Sequence, residues 1–501
     1  MLPTKLSDSA YLAVRREFVL KVDGGRPLLY SLDYINTNLY FLLPIEGFAL
    51  SLLDGRRQFA EIRRDFNRLF PSESTSALDD LLLGVDKRIR LNPSQTGIGR
   101  DGLLEQATEP MSNSQSFDPR DFIISPTEYF ERAGDVKTVQ RLATPINIYT
   151  IFTHRCVASC AYCYADRPPV EEMPLSRWRE IIREMADLNI ILASPDNGDT
   201  FARADGIDFL ECLLEHEMHF LLSTKAYISR ETIRRLIEAG FTKKVRGVLQ
   251  RQVQLSIDAV DQKVAARVLQ VKQPHVERRA ETIENFLNVG IMPKVKAVIT
   301  GLNYNQPEPI VDYFYPRGAR VFHFVRYRRT FHRHVDTLFV EPAHIPTLRR
   351  QFERIRERYP DVTVVENLSS SGTPPPETPP QEEVLAQWRN RMGCGGGWSA
   401  LGISADGNAF LCEQMKMDEP FYVGDARTQT IQEIWNGDRL NRFIYPERDQ
   451  FVGTICEHCT DFESCMWKCG RCYRDSYFSY GTVFYPPPGC PHNDRPGLRM
   501  A

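Results

Sequence analysis

Three cysteines stand close together in the run His154-Arg155-Cys156-Val157-Ala158-Ser159-Cys160-Ala161-Tyr162-Cys163-Tyr164. Their C-x3-C-x2-C spacing offers three thiolates to a four-iron cubane and leaves the fourth iron without a protein ligand. An iron with an open position can bind and activate a small molecule, whereas four-cysteine ligation suits electron transfer. Chance would produce this triplet only about 0.007 times in a chain of this cysteine content. A second group lies near the C-terminus. Cys456, Cys459, Cys465 and Cys469 form C-x2-C-x5-C-x3-C; upstream, Cys394 precedes Gly407 and Cys412, and Cys490 follows in Pro-Gly-Cys-Pro. Cysteine pairs at this spacing also suit structural zinc, so residue type alone leaves both metals open.

Ten of the twelve cysteines fall into these two patterns, in a chain of 501 residues. A disulfide framework belongs to short secreted chains, so this usage points to a reducing compartment. Met1 to Asp8 carry no apolar run of signal-peptide length, and a cytoplasmic location is the expectation. The longest apolar stretch, Tyr40 to Leu53, is broken by Pro44, Glu46 and Gly47, so no membrane span is expected. The net charge of −3 gives no global field for nucleic acid. The basic, aromatic run Arg326-Tyr327-Arg328-Arg329 with His332, Arg333 and His334 reads equally as an anion site or a solvated edge.

The elements that must position the triplet alternate in type. Ile146 to Phe152 is a β-branched and aromatic strand running into the cysteine loop. Asn189–Ala193, His219–Ser223, Val253–Ile257, Lys294–Ile299 and Arg320–Val325 are further strand candidates. Helical patterns over Ser176–Leu188, Ile207–Glu217, Arg230–Ala239 and Val276–Val289 separate most of them. Such alternation implies parallel βαβ units, in which ligands sit at the C-terminal ends of strands. Periodicity fits a partial barrel and a doubly wound sheet alike. Upstream, Phe18–Val22 and Pro27–Ser31 read as strands around Asp23-Gly24-Gly25, followed by helices over Gly47–Leu53, Phe59–Phe70 and Ser76–Leu83. Residues 106–140 are polar and read as a linker, and Ser369 to Pro380 as an exposed Pro-rich loop.

The first triplet resembles the signature of the radical SAM superfamily, and the C-terminal order resembles its seven-cysteine SPASM extension. The fold class this implies is α/β: a partial (β/α)6 radical SAM barrel over 141–345, a bridging region over 346–392 and a cysteine-rich SPASM domain over 393–501. The implied cofactors are a SAM-binding [4Fe-4S] cluster on Cys156, Cys160 and Cys163, S-adenosylmethionine (SAM), and two auxiliary iron–sulfur clusters. The resemblance places Cys394, Cys412 and Cys469 on the first auxiliary cluster, with Cys472 a candidate to complete it. It places Cys456, Cys459, Cys465 and Cys490 on the second. Tyr162 takes the family's aromatic position near the adenine, or simply packs the loop. The family's glycine-rich segment is reduced here to Asn197-Gly198-Asp199-Thr200, with Gly198 and Asp199 in its key positions. Ser223, Ser256 and Asp258 match strand-end positions that touch SAM, although an Asp ending a strand also serves as a cap. Arg326 is suited to pair with the SAM carboxylate. Cys212 reads as core.

Residues 1–105 resemble a PqqD-like recognition domain, winged-helix-like and α+β, that adds a leader peptide as a strand to its sheet. Together these resemblances imply a radical SAM oxidoreductase that matures a ribosomal precursor peptide, supplied with electrons by a flavodoxin or ferredoxin. The alternatives are an anaerobic sulfatase-maturing enzyme that forms formylglycine, or a catalytically inactive peptide-binding scaffold. No reacting protein side chain is assigned.

Overall fold

The computed structural model describes the chain except residues 1–5, 33–37, 93–98, 113, 196, 246–247, 250–251, 272–274, 367–379, 392, 494, 496 and 499–501. It divides into two units, residues 1–144 with 243–250, and residues 145–242 with 251–501. The Pro-rich loop lies almost wholly outside the described residues.

In the first unit β1 (Tyr11–Val14) pairs antiparallel with β5 (Asp54–Gln58) and β6 (Leu104–Ala107). A second antiparallel sheet has the order β2 (Phe18–Val22), β3 (Pro27–Ser31), β4 (Leu39–Phe41). Three helices, α1 (Pro44–Ser51), α2 (Phe59–Leu69) and α3 (Ala77–Leu91), accompany these sheets. Phe59, Ile62 and Phe66, spaced by three and four residues, form the buried stripe of α2. The strands and helices of the sequence reading are present. Between α1 and α2 the polar stretch Asp54–Gln58 forms strand β5, because pairing with β1 outweighs its composition. The segment read as a linker is fastened down rather than free. It contains α4 (Pro126–Gly134), whose Arg132 donates to buried Asp23 at 3.1 Å. Arg26 donates to the Val139 and Arg141 carbonyls close by. Polar composition here reflects partnered charges, which a one-dimensional reading cannot separate from solvation. Two short strands, β10 (Lys244–Val245) and β11 (Val248–Leu249), pair antiparallel.

The second unit carries the parallel strands. These are β7 (Asn147–Thr150), β8 (Leu192–Ser194), β9 (Leu222–Thr224), β12 (Val253–Ser256), β13 (Lys294–Ile299) and β14 (Val321–Arg326). Neighbours pair in parallel in chain order, and a Leu192–His219 bridge joins β8 to the segment entering β9. β15 (Thr363–Glu366) extends this series beyond β14. On the other side β16 (Ala400–Ile403) pairs in parallel with β7 and leads into antiparallel β17 (Asn408–Phe410) and β18 (Gly424–Asp425). The cysteine-rich region is thus continuous with the sheet through β7, the strand that precedes the first cysteine triplet.

Helices α5 (Leu175–Asp187), α6 (Gly206–Glu215), α7 (Arg230–Ala239), α8 (Gln262–Leu269) and α9 (His275–Leu287) lie between the strands in sequence. Helix α5 starts one residue before Ser176, with Pro174 as its N-cap. Beneath the first triplet, Phe152 stacks on Phe209 at 4.2 Å, and Trp178 meets both edge-on. These three fully buried rings anchor the end of β7 and therefore the start of the cysteine loop. Lys294 and Lys296 are half-buried on one face of β13. Burial and these two lysines hold neighbouring His323 of β14 down to a pKa of about 4, as expected where cations crowd a desolvated imidazole.

Candidate metal centres

The loop after β7 is tied down at every turn. Ser159 and Ala161 donate their amides to the carbonyls of Leu269 and Val268, at the end of α8. Arg333 donates to the Ser159 carbonyl (2.8 Å), the Ser159 hydroxyl (2.7 Å) and the Cys160 carbonyl (3.2 Å). At least one arginine of the basic run therefore clamps the loop from the segment after β14. Glu172 accepts from Thr153 Oγ1 (2.5 Å) and the His154 amide (3.1 Å). The His154 ring bridges Pro168 O and Ser404 Oγ, each at 3.0 Å.

The three thiols are free, Cys160 buried and Cys156 and Cys163 half-buried. Burial pushes the Cys160 thiol up to about 11; Lys225 opposes this, and Asp258, Cys163 and Cys156 add to it. Tyr162 is buried and donates its hydroxyl to Asp258 Oδ2 at 2.6 Å. Asp258 Oδ1 accepts the Val298 amide at 2.7 Å, so this carboxylate locks the cysteine loop to the ends of β12 and β13. Lys225 Nζ lies 5.9 Å from the Tyr162 ring centroid. Although burial opposes it, Cys160 and Asp258 hold this ammonium above its ordinary pKa.

Gly198 and Asp199 join the loop after β8 to its neighbours. A Cβ on Gly198 would fall 2.0 Å from the Thr153 carbonyl oxygen, so the glycine permits contact with the cysteine loop itself. Asp199 accepts from Thr224 Oγ1 (2.9 Å), the Lys225 amide (2.9 Å) and the Ala226 amide (3.1 Å). Its carboxylate is thereby occupied in joining the loop after β8 to the end of β9. The sequence reading assigned nothing to Asn197, yet this residue is buried at φ +81° with neither side-chain amide atom hydrogen-bonded. Leaving such a group buried and unpaired costs about 1–3 kcal/mol, and a polar ligand would offset that cost. Its sign in the sequence was its place before the glycine that the loop requires. Ser223 accepts from Gln254 at 3.0 Å; Ser256 and Arg326 end β12 and β14.

The C-terminal cysteines form two sets. Burial raises the Cys412 thiol, with Cys394 adding to the effect. Burial also pushes Cys472 up to about 11, with a contribution from Cys394. Cys394, Cys412 and Cys472 are thus neighbours. Cys469, grouped with Cys394 and Cys412 in the sequence reading, donates its thiol to the Arg389 carbonyl at 3.2 Å, feels Cys465, and packs its own carbonyl against Gly393, the residue before Cys394. The second set, Cys456, Cys459, Cys465 and Cys490, lines one cavity, walled also by Trp388, Phe462 and Pro487. Burial, with Cys490, Cys465 and Cys459, pushes Cys456 up to about 12. Cys212 is core, as expected, although its thiol lies near Glu215 and His216.

Residues 150–314 match the radical SAM superfamily, and residues 394–460 match the SPASM iron–sulfur cluster-binding domain. This chain is a radical SAM enzyme. Its cofactors are SAM, a [4Fe-4S] cluster and auxiliary iron–sulfur clusters. The residues fit them: three mutually crowded thiols in one loop, an orphaned buried amide beside it, and four thiols around one cavity. Among curated relatives, a PqqA peptide cyclase of Rhizobium meliloti (strain 1021) is 20% identical over 347 residues, covering 66% of this chain and 85% of that protein. The antilisterial bacteriocin subtilosin biosynthesis protein AlbA of Bacillus subtilis (strain 168) is 19% identical, covering 66% and 68%. Among solved structures, Streptococcus suis SuiB bound to S-adenosylmethionine matches with a TM-score of 0.61 at 17% identity, over 95% of this chain and 99% of that one. Among the described residues, no helix is long and apolar enough to cross a membrane.

Proposed function

We propose that this radical SAM enzyme matures a ribosomally made precursor peptide. The observation that carries the reading is a fold shared over 95% of the chain with SuiB, which was also solved bound to its precursor peptide SuiA (TM-score 0.59, 16% identity). The names of the curated relatives, a peptide cyclase and a bacteriocin biosynthesis protein, point the same way. Cys156, Cys160 and Cys163 hold the SAM-binding cluster. Cys394, Cys412 and Cys472 hold one auxiliary cluster, and Cys456, Cys459, Cys465 and Cys490 the other. Asn197, Ser223, Ser256 and Arg326 stand at or beside strand ends, where they orient SAM; Gly198, Asp199, Tyr162 and Asp258 build the walls. When bound, SAM and the open-iron cluster supply a radical that removes hydrogen from a substrate residue. The protein's part is to place that residue, exclude water and hold the charges around the loop.

Residues 1–105 serve as a PqqD-like recognition domain. Among the described residues β4 has a strand partner on one side only, so its other edge is available for a leader peptide to add as a strand. A flavodoxin or ferredoxin supplies electrons, in the cytoplasm. The test is anaerobic incubation of the reconstituted enzyme with dithionite, SAM and each short peptide encoded by a neighbouring reading frame. A SAM-dependent mass change in the peptide is expected. Release of 5′-deoxyadenosine with the peptide left unaltered would refute the peptide assignment.

A further inference from the structure

One charged side chain makes a hydrogen bond directly to a cysteine sulfur of the four-thiol cavity. Arg391 Nη2 donates to Cys465 Sγ at 3.1 Å, to the Gly470 carbonyl at 2.7 Å and to the Cys465 carbonyl at 3.4 Å. Its Nη1 donates to the Trp388 carbonyl at 2.7 Å, and the guanidinium carbon sits 3.7 Å from the centroid of the Trp388 ring. Trp388 and Cys465 both line the cavity. Among the described residues Arg391 forms no ion pair with a carboxylate, so its charge is directed at the sulfur. Arg471, buried and hydrogen-bonded to the Val483 carbonyl at 3.1 Å, adds a second cation within electrostatic reach of Cys456 and Cys465.

The other auxiliary set differs. Cys394 and Cys472 accept from the backbone amides of Gly396 (3.4 Å) and Asp475 (3.5 Å). The nearby cation, Arg474, is paired with Asp475 at 2.7 Å. Reduction adds negative charge to a cluster, so a cation hydrogen-bonded to a ligand sulfur favours the reduced form, and a neutral amide does so less. We propose that Arg391 is a positioning residue that sets the reduction potential of the cluster held by Cys456, Cys459, Cys465 and Cys490 above that of the cluster held by Cys394, Cys412 and Cys472. The inference rests on the reading of the cavity as an iron–sulfur site. The step concerned is transfer of one electron from an external reductant, with no bond made or broken.

The experiment is a dithionite titration of the reconstituted full-length enzyme followed by electron paramagnetic resonance, with the two auxiliary signals assigned by Cys472→Ala and Cys456→Ala variants and the third, from the SAM-binding cluster, by its loss when Cys156, Cys160 and Cys163 are replaced together by Ala. In the unaltered enzyme the signal lost in Cys456→Ala should appear first. In Arg391→Gln the reduced-to-oxidised ratio of that cluster at a fixed potential should fall about tenfold, equivalent to 59 mV for one electron. Iron content and the other signal should not change. Should Arg391→Gln fail to retain iron at this site, Arg391→Lys replaces it, with an expected fall of about threefold. An unchanged ratio in the iron-loaded variant, or the opposite order of reduction in the unaltered enzyme, overturns the inference. If Cys456→Ala removes no iron and no signal, the cluster reading itself fails, an outcome distinct from the other two.

Discussion

The first cysteine loop and the C-terminal cavity present thiols in two different ways. Three thiols converge at the end of β7, backed by parallel strand ends and locked by Tyr162, Asp258 and Arg333. Four thiols surround the C-terminal cavity, drawn from the short helical turns Ile455–Glu457 and Ser464–Cys469, from the loop between them at Cys459 and from the loop at Cys490. Three ligands leave a metal position open for chemistry, while four close it, and the surrounding architecture matches each task. The reactive loop sits where ligands reach strand ends, and the closed set sits in a region rich in turns, where ligation itself contributes to folding.

The most damaging change to this contrast is Cys156, Cys160 and Cys163 replaced together by Ala. 5′-Deoxyadenosine formation should fall below detection, while about eight of roughly twelve irons per chain remain. Persistent SAM cleavage in that variant would show that the open position lies elsewhere. Next in size, Cys472→Ala should remove one auxiliary cluster, about four irons, whereas Cys469→Ala should leave the iron count intact. Equal losses in the two variants would return Cys469 to the ligand set.

A smaller effect is expected for Asp199→Asn. Removing the charge that accepts from Thr224, Lys225 and Ala226 should lower stability by about 1–3 kcal/mol, read as a lower midpoint in denaturant. An unchanged midpoint would mean that the loop after β8 is held by other contacts. The smallest effect concerns His323, whose folded pKa of about 4 lies below the ordinary value of 6.5. Between these values the unfolded chain binds the extra proton, so stability is full above pH 6.5 and declines as pH falls toward 4. With partial exposure screening the shift, His323→Gln should flatten this decline by about 1 kcal/mol or less. Parallel pH profiles for the two proteins would remove the burial argument for β14.

Much of the frame was legible in the chain. Alternation of β-branched strands with amphipathic helices located β7, β8, β9, β12, β13 and β14 to within a few residues, because burial of one face imposes a period that a sequence displays. Residues 106–140 escaped that logic: Arg132 and Asp23 are 109 positions apart, and nothing local marks them as partners. The same holds for Arg333, which belongs to a basic run whose solvated and anchoring forms have identical composition.

What the sequence determined by itself was the inventory of ligands and the order of elements. Cysteine spacing is a local property, and a loop of eight residues brings its thiols together in almost any fold that tolerates it. Tertiary structure alone decided which distant cysteines share a site and which charges face them. Cys412 and Cys472, far apart in the chain, both lie within electrostatic reach of Cys394. The Arg391 hydrogen bond to Cys465 spans 74 positions. Gly198 faces the cysteine loop's backbone, and Asp199 is taken up by the end of β9, because close approach in space sets the demand on a residue and sequence separation does not.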